Sequence, residues 1–315
     1  FASESMAPGD WLSFSRDPKG SAMPEQPLMY VAGEFVAMAE ARVSALDAGL
    51  LLGAGLFETL RTYGGRPFRL EAHLARLRES GQVLRIFVTE TDERVTQIID
   101  RLVEANGAGE ARLRITATRG ALAAGLEDDE APPATLLVTA GPMTPYPPEF
   151  YTSGATVVVS DIRVNESDPT TYHKVTAYMA NLLVLRDAHR GRAAEALRFN
   201  TKNRLAEGAM SNVFLVKDGR LLTPPVEEGV LPGITRAAVL EIAAEVDVPA
   251  EQRALTVHDL LDADEVFLTN SIMEVMPVAR VEAREIGQGK PGPVTTKLAD
   301  AYHALVARET GAAEP

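Results

Sequence analysis

Apolar and polar positions alternate along this chain in two rhythms, and the switches between them lay out its elements. Leu28 to Ala32 and Phe35-Val36 flank Gly33-Glu34, a pattern that predicts a tight hairpin. A glycine-punctuated stretch, Leu50 to Gly55, leads into Phe57-Glu58-Thr59-Leu60-Arg61-Thr62-Tyr63, and Gly64-Gly65 turns the chain back through Pro67-Phe68-Arg69. The rhythm then lengthens. Leu70, Leu74 and Leu77 recur at i, i+4 and i+7, which predicts a short amphipathic helix that also carries His73 and Arg76. A second helix is expected from Asp92 to Ala105, and strands at Ala111 to Thr118 and Thr135 to Thr139.

Prolines 142, 145, 147 and 148 crowd the stretch that follows, and they suit neither a helix nor a central strand. This divides the chain into a disordered tail over 1–26, a small domain over 27–140, a linker over 141–150 and a larger domain over 151–315. In the larger domain a buried strand is expected at Ala155 to Ser160 and a helix from Thr176 to His189, stopping at Gly191. Lys217-Asp218-Gly219 reads as a hairpin turn between Val213–Val216 and Arg220–Leu222, with a helix over Ile234–Val246 and a strand over Glu265–Leu268 to follow. Hairpins mixed with helices, without regular strand–helix–strand repeats, indicate two α+β domains.

Composition narrows the chemistry. The 315 residues are 46% hydrophobic and 24% charged, ordinary proportions for a soluble globular protein. A net charge of −13 argues against nucleic acid as a partner, yet leaves room for an anionic small ligand inside a cleft. No apolar run approaches the roughly 20 residues of a membrane-spanning helix. The absence of cysteine excludes disulfides, thiolate catalysis and thiolate metal sites, and fits a cytoplasmic protein. Five scattered histidines show no metal-ligand spacing, and the acidic run Glu127 to Glu130 lacks the spacing of a calcium loop, so no metal is expected.

Three segments remain that could do chemistry. Lys174 lies in Tyr172-His173-Lys174-Val175-Thr176-Ala177-Tyr178, among apolar and aromatic neighbours able to desolvate an amine so that it becomes nucleophilic. Glu207 sits between small apolar residues in Leu205-Ala206-Glu207-Gly208-Ala209; it reads either as a turn residue or as a carboxylate for a protonated ring nitrogen. Leu231-Pro232-Gly233-Ile234-Thr235-Arg236 opens a helix. It is either a simple helix start or an anion site, with Gly233 for close approach, backbone N–H groups at Ile234 and Thr235, and the Thr235 hydroxyl. A dianion also wants a permanent cation, for which Arg76 is the candidate.

The order and spacing of these segments resemble the fold type IV pyridoxal-phosphate enzymes, the family of branched-chain and D-amino acid aminotransferases, (R)-selective amine transaminases and 4-amino-4-deoxychorismate lyases. The resemblance runs from Leu28 to Leu305. It rests on Gly55 to Arg61, His73-Leu74-Ala75-Arg76-Leu77, Glu207 to Phe214, Leu231 to Arg236 and Phe267 to Pro277. It implies an α+β fold of two domains, a small N-terminal one and a larger one with a mixed, largely antiparallel, barrel-like sheet. It also implies pyridoxal 5'-phosphate as cofactor, a homodimer, and transfer of an amino group from an amino donor to a keto acid acceptor.

Carried over by motif, Lys174 becomes the catalytic lysine that bonds the cofactor and moves the proton. Glu207 becomes the partner of the ring nitrogen, and Tyr178 the tyrosine near the ring oxygen. Arg76, Gly233, Ile234, Thr235 and Ser271 become the phosphate ligands. The substrate pocket falls at Leu52, Phe57, Arg61, Arg112, Arg114, Met210, Asn270 and Ile272, with the three arginines as candidates for the substrate carboxylate. The chain departs from its relatives in places: Ala121 to Gly125 carries no Arg-x-His clamp, and Leu52 stands where branched-chain enzymes often have tyrosine. Phe57 to Arg61 and Thr269-Asn270-Ser271 look lyase-like, so an aminodeoxychorismate lyase is the alternative, followed by a catalytically silent cofactor-binding protein.

Overall fold

The computed structural model describes residues 24–107, 109–122 and 132–312. Most of the expected tail and the acidic run Glu127 to Glu130 lie outside these. The chain forms two compact units: one reaches to Thr144 and also takes in Lys174–Ala177, and the other comprises Pro145–His173 and the chain from Tyr178 onward.

The first unit holds β1 (Leu28–Val31), β2 (Glu34–Ala37), α1 (Ala48–Leu52), β3 (Gly55–Tyr63), β4 (Arg66–Pro67), α2 (Leu70–Leu84), α3 (Asp92–Ala105), β5 (Ala111–Thr118) and β6 (Thr135–Pro142). Its sheet runs β2-β1-β6-β5-β3-β4, antiparallel at every step. Strand alternation sorts the side chains: Ala111, Leu113, Ile115 and Ala117 of β5 are buried, while Arg112, Arg114 and Thr116 take the other face. The buried face packs with Leu74 and Leu77 of α2 and Ile98, Ile99 and Leu102 of α3.

Two elements outrun their sequence signal. Helix α2 continues to Leu84, past the leucine stripe, because Gly81 lets the Ile86 carbonyl approach to 2.4 Å of where a Cβ would stand. Strand β6 continues to Pro142, paired with Ala111, so the first proline of the expected linker closes a ladder.

The Lys174–Ala177 segment joins this unit through backbone bonds. The Phe57 N–H donates to the Lys174 carbonyl at 2.9 Å and the Thr176 N–H to the Gly55 carbonyl at 2.8 Å, with an antiparallel bridge from Leu56 to Val175. Extended pairing of these residues is why the helix expected from Thr176 begins only at Met179.

The second unit contains α4 (Glu149–Thr152), β7 (Ala155–Val159), α5 (Met179–Arg190), β8 (Glu195–Phe199), β9 (Leu205–Gly208), β10 (Asn212–Lys217), β11 (Arg220–Thr223), α6 (Ile234–Glu245), β12 (Ala250–Gln252), α7 (Val257–Leu261), β13 (Glu265–Asn270), β14 (Glu274–Val281), β15 (Arg284–Glu285) and α8 (Pro293–Thr310). Its nine-stranded sheet runs β12-β11-β10-β13-β14-β7-β8-β9, with β15 on β14. The pairs β11/β12, β14/β7 and β7/β8 are parallel and the others antiparallel, the mixed arrangement expected. Helix α5 supplies the crossover that parallel β7 and β8 require. Val213, Leu215, Val266, Leu268 and Met276 fill one face, and Phe214 stacks on Phe267 with ring centroids 4.9 Å apart. Among the described residues no helix is long and apolar enough to cross a membrane.

Candidate active site

In the first unit the candidates gather on the two faces of β3. Phe57 carries two cations over its ring, Lys174 Nζ at 4.7 Å from the centroid and the Arg114 guanidinium carbon at 3.9 Å. Lys174 is half-buried, and its carbonyl is bonded to the N–H of the residue whose ring lies beneath its amine. An aromatic face favours the cation but offers no acceptor to hold its protons, a setting suited to an amine that must be released for nucleophilic work.

On the opposite face Glu58, only 1% exposed, accepts Arg76 Nε at 2.8 Å, Arg76 Nη2 at 2.6 Å and His73 Nδ1 at 2.8 Å. Burial pushes the Glu58 carboxyl up, but the Arg76 charge and the bonds from His73 and Arg76 outweigh it and hold the group at about 2. An ionised carboxylate only accepts, so His73 carries a proton on Nδ1. Arg76 is therefore clamped, and Glu58 is a site residue that the motif analysis passed over. Its signal was an acid on the apolar face of a strand, between Leu56 and Leu60.

The substrate arginines part company. Arg114 Nε donates to Thr116 Oγ1 at 3.1 Å and stays over Phe57. Arg61, paired in register with Arg112, directs Nε and Nη2 to Glu110 Oε2 at 3.4 Å each and lies over the Tyr63 ring. Leu52 ends α1, 54% exposed. That helix is pinned by the buried Asp47 carboxylate, which accepts the Gly49 N–H and the Thr118 and Thr135 hydroxyls.

In the second unit Glu207 and Leu231 are joined: Glu207 Oε2 accepts the Leu231 N–H at 3.0 Å, while Asn212 Nδ2 donates to the Leu231 carbonyl at 3.0 Å. The turn leading into α6 is thus tied to the strand that bears Glu207. Gly233 is the helix N-cap and no side chain caps the first turn; a Cβ there would stand 1.9 Å from Asn212 Oδ1. Thr235 follows, 3% exposed. Uncapped N–H groups behind a position closed to any side chain form a cradle suited to a phosphate.

The Ala209–Ser211 turn is held from several sides. Tyr178 Oη and Asn181 Nδ2 donate to the Ala209 carbonyl at 3.2 and 2.6 Å, and Asn270 Nδ2 donates to the Met210 carbonyl at 3.0 Å. Asn270 Oδ1 in turn accepts the Ile272 and Met273 N–H groups at 2.8 Å, shaping the loop that carries Ser271. Beneath lies Glu195, 1% exposed, accepting the Ala196, Ala209 and Met210 N–H groups and the Ser211 hydroxyl. Burial raises its pKa to about 6 against those four donors. Sequence alone gave no sign of Glu195. Tyr178 sits at the N-cap of α5, ahead of its first turn, and its hydroxyl is spent on Ala209.

The family model for amino-transferase class IV matches residues 55–281. The chain belongs to the class IV aminotransferases. D-alanine aminotransferase of Staphylococcus haemolyticus is 30% identical over 280 residues, covering 88% of this chain and 97% of its own. Branched-chain-amino-acid aminotransferase of Salmonella typhimurium is 30% identical over 287 residues, covering 88% and 92%. The crystal structure of the Escherichia coli branched-chain amino acid aminotransferase matches with a TM-score of 0.85 at 29% identity, over 91% of this chain and 96% of that one. The fold is thus the expected two-domain fold type IV, and this class IV aminotransferase is an enzyme that moves an amino group between an amino compound and an α-keto acid. Enzymes of the family use pyridoxal phosphate, and a related Thermus structure carries pyridoxamine 5'-phosphate.

Proposed function

We propose that this chain carries pyridoxal 5'-phosphate on Lys174 and uses it to pass an amino group from an amino acid or primary amine to an α-keto acid. The observation that carries the reading is Lys174 itself, half-buried with its amine over Phe57 and its backbone bonded into β3. Bound pyridoxal phosphate supplies an electron sink for the bond broken at the substrate Cα. The protein's residues supply the rest. Arg76, oriented by Glu58, and the α6 N-terminus at Gly233, Ile234 and Thr235, with Ser271, hold the phosphate. Glu207, kept in place by Leu231, holds the proton on the ring nitrogen, and Tyr178 orients the ring edge. Lys174, once displaced by the donor, carries the Cα proton.

Of the pocket residues, Phe57, Arg112, Arg114, Met210, Asn270 and Ile272 shape the substrate side, with Arg114 the leading cation for a carboxylate. Leu46, Leu50, Leu51 and Leu52 are each more than half exposed, an apolar patch that supports a homodimer. Purified protein is expected to absorb in the visible, to bleach when a donor is added and to recover with a keto acid. Lys174→Ala removes the whole cycle, and a Lys174→Ala protein that still cycles overturns the proposal. Turnover that releases pyruvate without any keto acid acceptor identifies the lyase instead.

A further inference from the structure

The β8–β9 ladder sets Arg198 directly across from Glu207. Paired residues of an antiparallel ladder share one face, with Cβ atoms roughly 5 Å apart. Arg198 is 8% exposed, and its hydrogen bonds go to two neutral groups, the carbonyls of Ile162 (Nε, 3.4 Å) and Arg163 (Nη2, 3.3 Å). Among the described residues no carboxylate forms an ion pair with it. A buried guanidinium without a salt-bridge partner is costly, and structural arginines are ordinarily paired.

The charged and titratable groups around it are Glu207 opposite, Tyr178 at the start of α5, and Glu195 on its own strand; each favours the cation, while burial disfavours it. Glu195 stands three residues away, on the other face of β8, with its carboxylate occupied by the Ala209–Ser211 turn. Glu207 is the anion that shares the Arg198 face.

The geometry points to Arg198 as a positioning residue that sets the charge of Glu207, and through it the site of the proton between Glu207 and the cofactor's ring nitrogen. This rests on the proposed function. A nearby cation lowers the proton affinity of a carboxylate. With Arg198 in place the shared proton stays on the ring nitrogen and Glu207 stays ionised, the form in which the ring withdraws electrons. Without Arg198 the proton moves to Glu207 and the ring becomes neutral.

The test uses the holoenzyme loaded with cofactor labelled with ¹⁵N in the ring. Arg198→Gln keeps a donor for the Ile162 and Arg163 carbonyls but removes the charge, and Arg198→Lys keeps the charge. In Arg198→Gln the ring-nitrogen resonance should move toward that of unprotonated pyridine, and kcat should fall at least about tenfold, the equivalent of one pKa unit. Arg198→Lys should remain near wild type. In a Glu207→Gln background the Arg198→Gln change should move the resonance no further, which a purely structural role for Arg198 does not predict. A loaded Arg198→Gln enzyme with the wild-type resonance, or a shift that persists in the Glu207→Gln background, overturns the proposal. Failure of the wild-type protein to load cofactor on Lys174 overturns the proposed function itself, and this inference with it.

Discussion

Glu58 grips Arg76 along one edge of its guanidinium, Nε to Oε1 and Nη2 to Oε2, where neither residue is more than 9% exposed. Such a pair is asymmetric under mutation. Arg76→Met strands a buried carboxylate and should cost about 3–5 kcal/mol, whereas Glu58→Met with Arg76→Met replaces both partners and should cost less than Arg76→Met alone. Urea unfolding of wild type, both single variants and the double decides it. Additive costs would mean that the bidentate contact couples nothing. Cofactor affinity should fall in Glu58→Gln as well, because the guanidinium loses the carboxylate that aims it.

Two buried carboxyls give acid stability opposite signs. Glu195 has a folded pKa of about 6, above its ordinary 4.5, so the folded state binds that proton more tightly. Stability from this group should rise as pH falls from about 6 to 4.5, by at most about 2 kcal/mol. Glu58 is at about 2 in the fold, so its contribution is full above pH 4.5 and is lost as pH falls toward 2, by about 3 kcal/mol. Unfolding free energy measured from pH 7 to 2 should therefore climb before it drops. Glu195→Gln should remove the climb and Glu58→Gln should flatten the drop; a monotonic wild-type profile refutes the Glu195 half.

These carboxyls also mark where sequence reading stops. Period-2 alternation placed β3 and β5 correctly because one face is buried, and the lysine, glutamate and glycine motifs were visible because they are local strings. Glu58 was within a recognised string, but its tie to Arg76 spans 18 residues and two elements, and only the fold makes it. Glu195 is further removed: its partners lie 14 to 16 residues on, across a turn whose N–H groups converge only once β8 and β9 pair. Helix α8 had a legible stripe in Leu298, Tyr302, Leu305 and Val306, yet the reading left that stretch without an element. Tyr178 shows the converse. Spacing from Lys174 suggested a shared helix, but Lys174–Ala177 spend their backbone bonds on β3.

The three candidate arginines should separate by kinetics. Arg61 faces Glu110 at the rim, where the pair is partly solvated at 22% and 49% exposure, so Arg61→Ala should change KM for the amino donor less than about threefold. Arg114 shares the Phe57 ring with Lys174, and Arg114→Ala should raise KM for carboxylate-bearing substrates about ten- to a hundredfold, with a much smaller effect on a plain amine. Equal losses with both substrates would assign Arg114 to the cofactor side of the pocket.

Gly233 offers the sharpest test of the phosphate cradle. Its φ of −68° and ψ of 138° suit any residue, so alanine meets no backbone strain there, and the obstacle is steric. A Cβ would fall 1.9 Å from Asn212 Oδ1. Asn212 cannot swing aside cheaply, because its Nδ2 holds the Leu231 carbonyl while Glu207 holds the Leu231 N–H. Gly233→Ala should therefore push on the turn linking Glu207 to α6 and weaken cofactor binding at least about tenfold, while costing roughly 1–3 kcal/mol of stability. Adding Asn212→Ala removes the colliding oxygen and should restore part of the affinity despite deleting a hydrogen bond. Equilibrium release of cofactor from the two variants and wild type measures this. Gly233→Ala retaining cofactor within threefold of wild type would remove the α6 N-terminus from the phosphate site.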